Sequence, residues 1–301
     1  MGALISSAPK QTQTITFKDL ASELAKANYA IALTGAGISA ESGIPTFRNP
    51  SDGIWERYDP VTYATIWGFW RNPEKIWELL VDVMQEMDPL PNDSHYAMAA
   101  LERLGVLKSI ITQNVDNLHQ EAGSKCVVEY HGNLMKSLAR VFFVASTISF
   151  IATERAIRGL PRYDNQAKCT SCGKTMDLSK ELLRDPHFTA SLPPMCLCGY
   201  PMKPTAVLFG ERVPRCVCTR AAKEVQKCDL LLVVGTSASV SPASNLPRIA
   251  MKNGAQVIEI NITETALTNR VSDKIIRESS SGLLQTVQLL DAKNEDAIQI
   301  A

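Results

Sequence analysis

Two glycine-bearing segments, each set directly behind an apolar run, constrain this chain more than any other feature. Gly35-Ala36-Gly37-Ile38-Ser39-Ala40-Glu41-Ser42-Gly43-Ile44-Pro45-Thr46-Phe47-Arg48 follows Tyr29–Leu33, and Gly235-Thr236-Ser237 follows the still more apolar Leu230–Val234. A buried strand that ends in a Gly-rich turn and a helix is how an α/β sheet holds pyrophosphate. Glycine lets the backbone approach the oxygens, and the helix start offers free N–H groups. Two such elements let one sheet grip both halves of a dinucleotide. The pattern predicts an enzyme with a nucleotide cofactor.

A chain of 301 residues is long enough for a full doubly wound core plus a smaller module. Its 31 basic residues balance its 31 acidic ones. That leaves no electrostatic footprint for nucleic acid, so no direct nucleic-acid binding is expected. Four of the eight cysteines stand in close pairs, which points to a metal in a reducing compartment and not to a disulfide framework. No basic stretch followed by an apolar one opens the chain, so secretion is not expected. Met1-Gly2-Ala3-Leu4-Ile5-Ser6 fits the pattern for N-myristoylation. An ordinary flexible start is the favoured reading, and membrane association is expected only if Gly2 is acylated.

Residues 1–15 are polar and expected to be mobile, and Thr16–Asn28 has helical spacing. Ile54–Met87 reads as aromatic-rich helices with a loop at Asp59-Pro60, its Trp67, Phe69, Trp70 and Trp77 as core. Ser94–Leu104 reads as a helix. Val106–Thr112, Val127–Tyr130, Thr205–Phe209, Leu230–Val234 and Gln256–Ile260 read as strands. The alternation predicts an α/β fold with a mainly parallel sheet and helices on both faces. Polar Gln113-Asn114-Val115-Asp116-Asn117-Leu118-His119 stands just past a strand end, where open α/β sheets bind ligands.

One region breaks the rhythm. Val141–Ile151 is uncharged and apolar, too short for a bilayer span, and precedes Arg155, Arg158 and Arg162. It reads as a partner or membrane contact, as an unimportant insertion, or as an artefact of the gene. For the last, Val141–Gln166 fits an in-frame retained intron, opening on a Val codon (GT) and closing on Gln (CAG).

Cys169-Thr170-Ser171-Cys172-Gly173 and Cys196-Leu197-Cys198-Gly199 each place a glycine behind a cysteine pair. Four thiolates so turned satisfy Zn²⁺ tetrahedrally with no open position, which predicts a structural site. Cys216 and Cys218 form a rival pair, but without the glycine. Cys126 and Cys228 read as core residues. Among the histidines, His131 ends a short strand, precedes Gly132 and is placed to act as a base near neutral pH. His95, His119 and His187 are assigned no role.

These residues, taken in order, resemble the sirtuins, NAD-dependent protein lysine deacylases. The match runs through Gly35-Ala36-Gly37-Ile38-Ser39, Gly43-Ile44-Pro45-Thr46-Phe47-Arg48, Thr112-Gln113-Asn114-Val115-Asp116, His131-Gly132, the two cysteine pairs, Gly235-Thr236-Ser237 and Asn261, and covers roughly residues 17–290. The resemblance implies a Rossmann-like domain at 16–131 and 204–290. It also implies a zinc module at 132–203, with the atypical insert at about 138–166, and a tail at 291–301. Gly35, Ala36, Gly37, Ser39 and Glu41 would bind NAD on the pyrophosphate side, with Phe47 and Arg48 over the nicotinamide ribose. Gln113 would hold ribose hydroxyls, Asn114 and Asp116 would line the nicotinamide pocket and serve catalysis, and Gly235, Thr236, Ser237 and Asn261 would hold adenosine. Val207, Leu208, Phe209 and Gly210, with Glu211, would pair with the substrate backbone by β-augmentation.

In the implied reaction nicotinamide leaves, the acyl oxygen attacks the ribose, and His131 deprotonates a ribose hydroxyl. The products are free lysine, nicotinamide and O-acyl-ADP-ribose. Zinc from Cys169, Cys172, Cys196 and Cys198 would be structural. Acyl-lysine proteins, histones among them, would be the substrates, in the nucleus or cytoplasm. By register from Trp77-Glu78, Leu80 and Val83 occupy the positions that hold a Tyr and an Arg in sirtuins preferring acidic acyl groups. Acetyl or longer aliphatic groups are therefore expected. Two alternatives stand beside this reading: mono-ADP-ribosyl transfer, and an inactive NAD- and zinc-binding scaffold if the insert blocks the cleft.

Overall fold

A computed structural model describes residues 12–46, 53–86, 88–134 and 166–299. Among them are ten strands: β1 (Gln13–Thr14), β2 (Ala30–Thr34), β3 (Leu107–Thr112), β4 (Val127–Glu129), β5 (Gln166–Cys169), β6 (Thr175–Asp177), β7 (Met202–Pro204), β8 (Leu230–Val234), β9 (Gln256–Asn261) and β10 (Asp273–Ile276). Seven form one sheet in the order β1-β10-β9-β8-β2-β3-β4, every neighbouring pair parallel. The other three form an antiparallel sheet, β6-β5-β7. This is the α/β class expected, with a second, smaller unit beside the large sheet.

The large sheet has two cores because successive strand side chains point to opposite faces. Leu230, Leu232 and Val234 of β8 join one buried cluster with Ala30, Ala32, Ile258 and Ile260. Leu231 and Val233 join the other with Ile31, Leu33 and Val257. Phe17–Lys26 and Asp93–Arg103 feed side chains into the first core, and Arg215–Lys227 and Leu246–Lys252 into the second. Helix Phe17–Lys26 starts on a capping box. The Asp19 N–H donates to Thr16 Oγ1 (3.2 Å) and the Thr16 N–H to Asp19 Oδ2 (2.9 Å). Such a start is worth about 1 kcal/mol.

Register decides where the site lies. Thr34 pairs with both Thr112 and Val234, and Val234 with Ile260. The ends of β2, β3, β8 and β9 are therefore level, and their loops leave one edge of the sheet together. The chain progresses outward in opposite directions from the β2/β8 pair, and ligands bind in the crevice beyond such a switch point.

Several expectations are corrected. Thr205–Phe209 is not a strand: β7 ends at Pro204, and after the Thr205 N–H, which reaches the Gln166 carbonyl of β5 (2.9 Å), the backbone bonds to His131, Ala64 and Ile66. Trp67 and Trp70 are not core but 67% and 59% exposed. Their helix, Ile66–Arg71, is under two turns long and turns Phe69 inward, which leaves its tryptophans outside. Trp77 is fully buried, as expected. Cys126 is exposed, whereas Cys228 is buried. The stretch expected to be mobile at the N-terminus is engaged from Thr12, and Gln13 and Thr14 pair with Asp273 and Lys274. The last helix, Ser280–Gln299, continues through most of the expected tail. The Gly2 pattern and the run Val141–Ile151 lie outside the described residues.

Candidate active site

The two glycine turns touch each other. Gly37 N–H donates to the Gly235 carbonyl (2.7 Å), Gly35 N–H to the Val234 carbonyl (3.2 Å), and Gly235 N–H to the Ile260 carbonyl (3.0 Å). A Cβ on Gly37 would stand 2.8 Å from Gly235 Cα. One on Gly235, whose φ is +59°, would stand 2.3 Å from Ile38 N. Glycine is thus required for loop-to-loop contact before any ligand arrives. Beyond Gly35 the expected helix is a 3-10 helix, Ala36–Ser42. The Gln113 amide reaches across to Thr236 Oγ1 (2.8 Å), and Asn261 Nδ2 donates to the Thr236 carbonyl (3.2 Å). Ser237 Oγ lies 2.9 Å from Ser239 Oγ. Glu41 accepts a hydrogen bond from the Ser280 hydroxyl.

Behind the turns lies a buried polar network. The Ser39 hydroxyl donates to Asp116 Oδ2 (2.7 Å), and the Leu118 N–H to Asp116 Oδ1 (3.1 Å). Asn114 Nδ2 donates to the Gly35 carbonyl (3.1 Å) and to Ser39 Oγ (3.0 Å). Burial pushes the Asp116 carboxyl up, while the Ser39, Leu118 and Asn114 hydrogen bonds oppose that rise. Two unassigned histidines join this network. His95 Nε2 lies 3.3 Å from Ser39 Oγ, and His119 Nε2 lies 2.9 Å from Thr34 Oγ1. With the Ser39 proton committed to Asp116, His95 donates through Nε2 and accepts the Asn92 N–H (3.3 Å) at Nδ1. Burial lowers His95 to about 4; burial, then the neighbouring His95, lowers His119 well below the usual imidazole value. The signal available in the sequence was a histidine three residues after Asn92, at the start of helix Asp93–Arg103.

His131 stands where β4 leads out, its Nδ1 3.0 Å from the Gln113 carbonyl. A carbonyl only accepts, so Nδ1 carries the proton and Nε2 is bare. Burial lowers the His131 pKa, with the Gln113 bond opposing, so the ring is neutral near pH 7. The next segment rests on it: the Val207 N–H donates to the His131 carbonyl (2.8 Å). The Leu208 N–H donates to Glu211 Oε2 (3.0 Å), and Phe209 bonds Ala64 and Ile66 through its N–H and its carbonyl (both 2.9 Å). Much of the expected substrate edge is thus already paired. Leu80 and Val83 pack around Trp77, Ala167 and Cys169. Phe47 and Arg48 lie outside the described residues.

The sulfurs of Cys169, Cys172, Cys196 and Cys198 all lie within 4.8 Å of one another. The Cys169–Cys198 and Cys172–Cys196 separations are 3.4 and 3.6 Å, close to the roughly 3.8 Å of two sulfurs on one tetrahedral zinc. The Ser171 and Cys172 N–H groups point at Cys169 Sγ, and Gly173 and Gly199 take left-handed backbone. Four cysteines are therefore positioned to bind a metal. Cys216 and Cys218 sit elsewhere, on helix Arg215–Lys227.

A parallel sheet with two turns at its switch point, a buried acid and a poised histidine defines a dinucleotide-using enzyme class, and comparison places it further. The Sir2 family model matches residues 35–242, and the chain belongs to that family. NAD-dependent protein deacylase 2 of Archaeoglobus fulgidus is 40% identical over 267 residues, 88% of this chain and 92% of the relative. A Sir2 homologue in complex with NAD superposes with a TM-score of 0.74 at 35% identity, covering 94% of this chain and 96% of its own. Sir2Af2 bound to a myristoylated histone peptide gives 0.70 at 33% identity, covering 93% and 98%. Among the described residues no helix is long and apolar enough to cross a membrane.

Proposed function

We propose that this chain is an NAD-dependent protein lysine deacylase. It removes acetyl or longer aliphatic acyl groups from lysine, releasing nicotinamide and O-acyl-ADP-ribose. The observation that carries the reading is His131, held by the Gln113 carbonyl in the tautomer with a bare Nε2 at the edge where both glycine turns emerge. NAD supplies an electrophilic ribose carbon and the hydroxyl that takes up the acyl group. His131 Nε2 accepts the proton of that hydroxyl, and its lowered pKa keeps it able to do so at neutral pH.

Gly35, Ala36, Gly37 and Ser39 face pyrophosphate, Glu41 braces their loop through Ser280, and Phe47 and Arg48 cover the nicotinamide ribose. Gln113 holds ribose hydroxyls, and Gly235, Thr236, Ser237 and Asn261 hold adenosine. Ser39 and Asn114 fix Asp116 beside nicotinamide, so its dipoles need no reorganisation during the reaction. Val207, Leu208, Phe209, Gly210 and Glu211 form the substrate edge. The apolar Leu80 and Val83 offer no cation to an acidic acyl chain, which favours aliphatic groups.

Residues 16–131 and 204–290 serve as the NAD-binding part and 132–203 as a zinc module. Cys169, Cys172, Cys196 and Cys198 hold one structural Zn²⁺, which takes no part in proton or acyl transfer. Acyl-lysine proteins such as histones are the substrates. Eight unpaired cysteines support a reducing compartment, nucleus or cytoplasm. The test is incubation with NAD and acetyl-, myristoyl- and succinyl-lysine peptides, followed by mass spectrometry. Deacylated peptide with O-acyl-ADP-ribose, lost in His131→Ala, is the expected result. Efficient desuccinylation would overturn the aliphatic preference, and no turnover of any peptide would overturn the deacylase reading.

A further inference from the structure

Lys203 is a lysine with no place in the chemistry above, yet each of its three ammonium protons has an oxygen. Nζ lies 2.7 Å from the Pro204 carbonyl, 2.9 Å from the Ala206 carbonyl and 3.0 Å from Glu211 Oε2. The side chain is 14% exposed. Lys203 belongs to β7 of the small sheet, where it pairs with Lys168 of β5. One oxygen is that of Pro204, the last residue of β7, and the other two belong to the segment that leaves the sheet and passes His131. The same Glu211 carboxylate accepts the Leu208 N–H (3.0 Å), and the Glu211 N–H returns to the Leu208 carbonyl (2.9 Å). One ammonium thus closes residues 204–211 into a loop from inside.

That loop is pressed against the base. A Cβ on Gly132, whose φ is +88°, would lie 3.1 Å from both Ala206 Cα and the Thr205 carbonyl, and Val207 N–H holds the His131 carbonyl at 2.8 Å. Ala206 is therefore gripped through its carbonyl by Lys203 while its backbone rests on Gly132. A free loop of this length would have to be ordered whenever a peptide docked on it, at a cost in affinity; a loop ordered in advance does not carry that cost. The half-buried Glu211 carboxylate is neutralised by the same contact, so removal of either partner leaves the other without its ion pair.

We infer that Lys203 is a positioning residue, whose ammonium presets the Val207–Glu211 edge against His131 for the acyl-lysine peptide. The inference rests on the deacylase reading only in the identity of the peptide. NAD would be held by loops after β2, β3, β8 and β9, whereas the Lys203 ammonium contacts Pro204, Ala206 and Glu211, so the effect falls mainly on the peptide.

The experiment measures binding and turnover separately. Affinity for a fluorescent acetyl-lysine peptide is read by anisotropy and affinity for NAD by calorimetry, in the unsubstituted chain, Lys203→Met, Glu211→Gln and the double variant. Metal content and melting temperature are recorded for each. Lys203→Met is expected to weaken peptide binding by roughly tenfold or more, with NAD affinity within about twofold. Glu211→Gln should weaken peptide binding by a smaller factor. The double variant should be no weaker than Lys203→Met, because both single changes break one contact. Unchanged peptide affinity in Lys203→Met would overturn the inference, as would parallel losses of peptide and NAD affinity. Additive effects in the double variant would assign Glu211 to direct peptide contact and also overturn it. A chain that binds the peptide and shows this pattern but never deacylates would sink the deacylase reading and leave the clamp standing.

Discussion

The two sheets of this protein are held together by different means. In the large sheet, β2 and β8 are buried along their whole length, and their side chains alternate into two apolar cores. The small sheet has strands of four, three and three residues. Its apolar cluster borrows Trp77, Leu80 and Val81 from helix Pro73–Glu86 and includes Cys169 and Cys196 themselves. Trp77 Nε1–H also donates to the Met202 carbonyl (2.9 Å). A few short strands bury little surface against their ordering entropy, and the four cysteines positioned to bind a metal are the element of this sheet that can offset it. His131 and the segment after β7 lie where these two kinds of stability meet, and each can be perturbed without the other.

Metal removal should separate them most sharply. Structural zinc contributes on the order of 10 kcal/mol to small metal-built folds. A strong chelator, or Cys172→Ser, should abolish hydrogen-exchange protection in β5, β6 and β7 while β2, β3, β8 and β9 stay protected. Retained protection in the small sheet after metal loss, measured by mass spectrometry, would break the comparison. Next in size is His131→Ala, on the large-sheet side. A fall in kcat of about 10²- to 10⁴-fold is expected, with the melting temperature and metal content unchanged. In the unsubstituted chain the acid limb of kcat/KM should lie below about pH 6.5, the ordinary imidazole value, because burial disfavours the His131 cation. A limb above that value would show that burial does not govern this residue.

The same contrast explains what could be read in the sequence. The glycine turns and cysteine pairs were legible because each is local: an apolar run fixes a strand, and the residue behind it fixes a turn. The two exposed tryptophans were not. Phe69 and Trp70 are adjacent on a helix of under two turns, and composition alone does not say which residues face inward. Thr205–Phe209 has strand-like residues, yet Val207 bonds to His131 and Phe209 to Ala64 and Ile66, partners distant in the chain. β1 escaped notice for a related reason, since two residues pairing at a sheet edge leave no periodic trace. His95 and His119 were passed over because a neutral buried histidine leaves no spacing pattern.

Acid should destabilise the large sheet through its buried histidines. His95 is fully buried and its pKa falls from 6.5 to about 4, while that of His119 falls further for the same reason. A depressed histidine pKa means that the unfolded chain binds the proton first. Stability is therefore complete above about pH 6.5 and declines as pH falls towards 4, by about 3 kcal/mol from His95 alone. Denaturant titration from pH 7.5 to 4.5 should show this loss in the unsubstituted chain and a smaller one in His95→Asn. Equal slopes in both proteins would remove His95 from the account.

The smallest expected effect marks the boundary between the regions. Cys216 is exposed on helix Arg215–Lys227, which packs on the large sheet, and its rival pairing with Cys218 would need that helix in the metal site. Cys218 instead faces the large-sheet core, its sulfur 3.8 Å from Tyr130 Oη. Cys216→Ser should leave one metal per chain, and stability within about 0.5 kcal/mol of the parent. Cys196→Ser should lose the metal, since Cys196 is buried in the small cluster and removes one of four ligands. Loss of metal from Cys216→Ser with retention in Cys196→Ser would reverse the assignment and join the two regions through one ion.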